Sequence, residues 1–222
     1  MKYEISGDPM PVVLCYPERG ERIITERGAM SWMTPGFKME TTTGGVGKAF
    51  GRMFSGDTFF QNTYTAESDG QMIAFASSFP GTIRAVEITP DKPVICQKSS
   101  FLACTDGVEL SVHFQKKVGA GFFGGEGFIM QKLSGKGIAF VELDGSVFDY
   151  DLEPGQTMLI STGNLAMADA SVDIGIKTVG GVKNKLFGGE GFFNTTVTGP
   201  GHVVIQSITI AGFAATVAGN RQ

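Results

Sequence analysis

The chain is short of the groups that do chemistry. Of its 222 residues only 2 are histidine, 3 cysteine and 1 tryptophan, and charged residues make up 18%. His113 and His202 stand alone in their stretches, so no imidazole and carboxylate cluster offers a transition-metal site. Neither histidine lies near an activated serine or cysteine, and nucleophilic catalysis has no partner to propose. We therefore expect no enzyme, no cofactor and no metal. Positive charge is lacking too. A net charge of −4 supplies no field for a phosphate backbone, which disfavours nucleic acid. No run approaches the roughly 20 apolar residues of a membrane span, and Met1 to Asp8 has no signal-like apolar core, so the expected compartment is the cytosol. Cys15, Cys96 and Cys104 are odd in number and apolar in surroundings, which predicts reduced, buried thiols.

What is abundant is glycine, at 32, and phenylalanine, at 18. This composition predicts an all-β chain of short strands and many turns. An internal repeat organises it. Phe123-Gly124-Gly125-Glu126-Gly127-Phe128 returns 64 residues later as Phe187-Gly188-Gly189-Glu190-Gly191-Phe192, and a diverged copy, Phe54-Ser55-Gly56-Asp57-Thr58-Phe59, precedes both. The flanks recur as well. Upstream lie segments of period two around Phe37–Glu40, Val108–Val112 and Val172–Ile176, the pattern of half-buried strands. Downstream lie turns at Glu67–Gly70, Ser134–Gly137 and Thr198–Gly201, each followed by an apolar run, which reads as a hairpin.

Three units of about 65 residues result, at 12–78, 83–143 and 147–210, with no linker between them. A unit of that size is marginal alone. The expectation is three β-sandwich-like repeats sharing a core with pseudo-threefold symmetry, one compact domain over 1–222. Met72-Ile73-Ala74-Phe75 and Val203-Val204-Ile205 are apolar at consecutive positions and need cover on both faces, from a second sheet, a neighbouring repeat or another subunit.

Two glycine-rich stretches are discarded as phosphate sites. Gly119-Ala120-Gly121-Phe122-Phe123-Gly124 fits a dinucleotide pattern, but a repeated hairpin follows it where a helix is needed. Gly44-Gly45-Val46-Gly47-Lys48-Ala49 lacks the first glycine and the metal-binding hydroxyl of a phosphate loop.

The tandem Phe-Gly-Gly-Glu-Gly-Phe motifs and the earlier Gly28-Ala29-Met30-Ser31-Trp32-Met33 resemble the family named for altered inheritance of mitochondria, over essentially the whole chain. The resemblance implies β-sandwich repeats similar to the subunit of the tryptophan RNA-binding attenuation protein, assembled as a homotrimer. It implies no catalytic residues.

The repeated acids Asp57, Glu126 and Glu190 fit a turn-stabilising role better than a cation site, because glycines flank them. Phe54, Phe59, Phe122, Phe123, Phe128, Phe187, Phe192 and Phe193 are the candidate interaction residues, with Lys48, Arg52, Lys116, Lys117, Lys183 and Lys185 just upstream. Aromatics beside cations describe a patch for an anionic membrane or a protein partner. The alternative, that these rings plug each repeat's core, is favoured by their repetition. Two function classes stand: a non-catalytic scaffold, peripheral to a membrane if the hairpins face lipid, and a small-ligand binder with a pocket between repeats or subunits.

Overall fold

A computed structural model describes residues 1–26, 28–43, 60–116, 128–178 and 193–219. After β1 (Lys2–Ser6) come three successive sets of six strands. The first is β2 (Val12–Tyr16), β3 (Arg22–Glu26), β4 (Trp32–Met33), β5 (Phe37–Thr43), β6 (Phe60–Ala66) and β7 (Ile73–Ala76). The second is β8 (Gly81–Ile88), β9 (Val94–Gln97), β10 (Phe101–Thr105), β11 (Val108–Lys116), β12 (Phe128–Gly135) and β13 (Gly137–Asp144). The third is β14 (Val147–Leu152), β15 (Thr157–Ser161), β16 (Leu165–Asp169), β17 (Asp173–Thr178), β18 (Phe193–Thr198) and β19 (Gly201–Gln206), and helix α1 (Ile210–Gly219) follows.

One pairing scheme recurs in all three sets. The sixth strand lies between the first and the third, and the fifth between the second and the fourth. The sheets are ordered β1-β2-β7-β4, β5-β6-β3-β10-β13-β8, β11-β12-β9-β16-β19-β14 and β15-β18-β17. Even an irregularity repeats, since the register slips between Phe101 and Ala103 against β13 and between Leu165 and Met167 against β19.

The turns expected to close hairpins do something else. β6 and β7, β12 and β13, and β18 and β19 lie in different sheets, so these turns carry the chain from one sheet to another. The reason is that each fifth strand already has a partner on both edges. The Phe-Gly motifs instead fall, in sequence, between the fourth and fifth strands, which do pair antiparallel, as Thr43 with Phe60 and Thr178 with Phe193. At one crossing turn two glycines press their backbones together. Gly107 has φ +101° and Gly135 φ +91°, and a Cβ on Gly135 would strike the Gly107 carbonyl.

The described residues form two compact units: 1–93, 99–111 and 133–143 in one, and 94–98, 112–132 and 144–222 in the other. These limits differ from the sequence repeats, because the middle set divides its strands between both. In the first unit, Val13, Cys15, Ile73 and Phe75 of one sheet meet Ile23, Tyr64, Leu102 and Phe140 of the other. In the second, Ile95, Phe128, Met130, Leu165 and Val203 meet Ile160, Ile174 and Val197. Each unit is thus a sandwich of antiparallel sheets. The consecutive apolar strands find their cover inside the chain: Ile73, Ala74, Phe75 and Val203 are fully buried without any second subunit.

Phe128 tests this packing. It is 1% exposed, with its ring edge-on to Phe114 at 6.3 Å between centroids. Phe128→Ala is expected to lower unfolding stability by about 3–5 kcal/mol, measured by urea titration. A loss below roughly 1 kcal/mol would contradict a packed site.

Candidate functional site

The predicted interaction residues fare unequally. Phe54, Phe59, Phe122, Phe123, Phe187 and Phe192, with the acids Asp57, Glu126 and Glu190, lie outside the described residues. Phe193 begins β18, where it pairs with Thr178. Phe128 requires a correction: it belongs to the core and presents no ring to a partner. Phe128, Ile129, Met130 and Gln131 are buried in succession, so both faces of this strand are covered there.

His202, expected from the sequence to be an isolated strand histidine, is engaged through both of its ring nitrogens. The first-to-sixth pairing sets β14 beside β19, with Asp151 opposite His202. Asp149 and Asp151, two apart, project on the same face of β14. Nε2 of His202 lies 2.9 Å from Asp149 Oδ1, and Nδ1 lies 2.7 Å from Asp151 Oδ1. The His202 backbone N–H donates to Asp169 Oδ2 at 2.9 Å, from the end of β16. Two carboxylates, one on each ring nitrogen, are satisfied together only by the doubly protonated ring. The Asp151 hydrogen bond, then that of Asp149, raises the His202 pKa above its ordinary value against a partial desolvation penalty. His113 on β11 shifts the other way, through burial and the nearby Lys132 ammonium.

The remaining buried polar groups serve the fold. Glu142, nearly buried on β13, accepts hydrogen bonds from Ser77 Oγ at 3.1 Å and from Ser78 N–H at 2.7 Å. All three cysteines are buried and none is in a disulfide. Burial pushes the Cys15 thiol up to about 12 and raises that of Cys104 as well. Among the described residues, no group of three or more His, Cys, Asp or Glu side chains is arranged to hold a metal ion.

Exposed apolar side chains form the other notable surface. In the first unit Leu14 and Trp32 flank Ala74, which is itself buried, and Glu4 continues the row across β1. Val12, Tyr16 and Ala76 share that face by the two-residue period of their strands. Trp32 is 47% exposed, and Tyr16 and Met10 are exposed as well. β4 is the edge of its sheet, whereas the third strands of the other two sets, β10 and β16, are central. In the second unit Phe148 and Tyr150 are exposed on β14, itself an edge.

The architecture places the chain in the class of all-β proteins made of antiparallel sandwiches with a recurring strand scheme. The crystal structure of protein SPYM3_0169 from Streptococcus pyogenes has the same fold, with a TM-score of 0.80, 25% sequence identity and 98% of each chain covered. No curated protein matches the sequence. The model of the family described as mitochondrial biogenesis AIM24 matches residues 3–208, and the chain belongs to that family.

Two predictions follow from the ionisable groups. A histidine whose folded pKa lies above its unfolded value, about 6.5, contributes stability below that value. The contribution fades as pH rises through the folded pKa. His202→Gln is therefore expected to lose up to about 1 kcal/mol at pH 5.5 and nothing measurable at pH 9, the scale of an exposed ion pair. Thermal melts at the two pH values measure the difference, and an equal loss at both would refute the ionic clasp. For the thiols, a disulfide reagent is expected to label none of the three cysteines in the native protein at pH 8 and all three in guanidinium. Stoichiometric native labelling would contradict their burial.

Proposed function

We propose that the protein is a non-catalytic interaction module which assembles as a homotrimer, with its three strand sets related by pseudo-threefold symmetry. The observation that carries this reading is the exposure of Trp32 and Tyr16 on one sheet face, beside the half-buried Leu14 and Val12. A sheet face of this kind gains by burial against a flat partner. Closed cyclic assembly hides such a surface without growing filaments. The family description, mitochondrial biogenesis, is compatible with a protein that organises others and carries no chemistry of its own. A membrane surface is a natural place for such a module.

The only tryptophan of the chain is Trp32, which makes the test direct. Sedimentation equilibrium at micromolar concentration is expected to give three times the 23.6 kDa chain mass. Dilution should shift the tryptophan emission to the red as the face is exposed. Trp32→Asp is expected to sediment as a single chain. Wild-type protein that sediments as a single chain would overturn the assembly.

A further inference from the structure

We propose that helix α1 is a lipid-docking element which inserts its exposed face into the surface of a bilayer without need of anionic headgroups. The starting point is charge. Between Glu190 and Arg221 there is no Lys, Arg, Asp or Glu, and within α1 the only polar side chain is Thr216. Ile210, Phe213, Ala214 and Val217 are all exposed, and Val217 is the most open at 69%. Their spacing of three, four and seven residues puts them on one side of the helix. An apolar helix without charge belongs inside a core or in lipid, yet this one turns such a face to water.

The start of the helix is fixed to the second unit. Asp144 Oδ2 accepts from the Ile210 N–H at 3.3 Å, where a carboxylate also favours the positive end of the helix dipole. Thr209 caps the first turn, with its Oγ1 accepting from the Gly212 N–H at 2.9 Å and its carbonyl from the Phe213 N–H at 2.9 Å. Ser207 N–H donates to Ser146 O at 2.9 Å, which ties the preceding segment to the start of β14. The face is therefore held in a set direction.

The size of the face decides the occupant. A stable protein interface engages roughly 20–30 residues on each side, with a polar rim around an apolar centre. Four side chains fall far short of that, for a second copy as for another protein. A bilayer needs no matched surface, and each buried side chain contributes on its own. Ten residues rise about 15 Å, half the roughly 30 Å of a hydrocarbon core, so α1 lies at the interface and does not span. Consistently, no helix among the described residues is long and apolar enough to cross a membrane. With no cation on the helix and a net charge of −4, the contact gains nothing from anionic lipid.

Flotation of the full chain with phosphatidylcholine vesicles tests this, beside vesicles that also contain phosphatidylglycerol. The wild type is expected to float with both, to equal extent and at low and high salt. The double variant Phe213→Gln and Val217→Gln keeps helix propensity, because glutamine is the better helix former at both sites. Its vesicle-bound fraction is expected to fall roughly tenfold or more, with an unchanged circular dichroism spectrum. Flotation with anionic vesicles alone, flotation of the variant like the wild type, or no flotation would each overturn the proposal. So would a variant that sediments as a smaller assembly than the wild type, since α1 would then be a subunit contact. The inference is independent of the trimer: a single chain that floats sinks the assembly and leaves the helix, and a trimer that stays in solution does the reverse.

Discussion

The fold depends on how the chain leaves a fifth strand and enters a sixth in another sheet. At that point an amide at or just before the start of the new strand has lost its old neighbours, and an unpaired buried amide costs about 1–3 kcal/mol. In all three sets a side-chain oxygen from the end of the third strand or just beyond it supplies the acceptor. Met72 N–H donates to Thr34 Oγ1 at 3.0 Å, Ile138 N–H to Thr105 Oγ1 at 2.9 Å and His202 N–H to Asp169 Oδ2 at 2.9 Å. Each latch fixes where the sixth strand starts, hence its register with the first and third strands. Register in turn decides which residues reach the core, because a slip of one residue would turn Ile73 and Phe75, or Val203, to the opposite face.

The sandwich cores explain why the compact units and the repeats do not coincide. A set of six strands distributes its members over two sheets, and its second strand pairs with the third strand of the following set: β3 with β10, and β9 with β16. The first unit's core therefore takes Ile83, Leu102 and Phe140 from the middle set, and the second takes Ile95, Phe128 and Met130. Neither core is complete with one set alone. A repeat of about 65 residues that buries its apolar faces only against its neighbours is the physical expectation for so short a unit.

The local parts of this arrangement were legible in the sequence. Period two at Val108–Val112 and Val172–Ile176 marked strands β11 and β17, and the recurring glycine turns marked where the chain reverses. The pairing was not legible, because hydrogen-bond partners are chosen over long separations and a turn motif looks alike whether it closes a hairpin or crosses between sheets. The consecutive apolar strands correctly announced cover on both faces but did not say that the same chain supplies it. His202 went unrecognised for a similar reason. Its carboxylates lie 51, 53 and 33 residues away, and only the pairing of β14, β19 and β16 gathers them. The signal available in the sequence was Phe148-Asp149-Tyr150-Asp151, two acids at strand spacing in a chain with few charges.

Equivalent positions in the first and third sets carry opposite chemistry, and the latch shows which positions are equivalent. Ala74 and Val204 each stand two residues beyond the latched amide, and opposite them lie Leu14 in one set and Asp149 in the other. Two residues further on stand Tyr16 and Asp151. The third-strand partners of Ala74 and Val204 are Trp32 and Met167, the first exposed at a sheet edge and the second nearly buried beside β9. One backbone scheme thus displays an apolar face in the first set and an ionic clasp in the third. The scheme itself is constrained by its amides and its cores, so its repeated positions report on folding. What distinguishes the copies is free of that constraint, and there the apolar face of Trp32 and the clasp of His202 give the two ends of the chain different surfaces to offer.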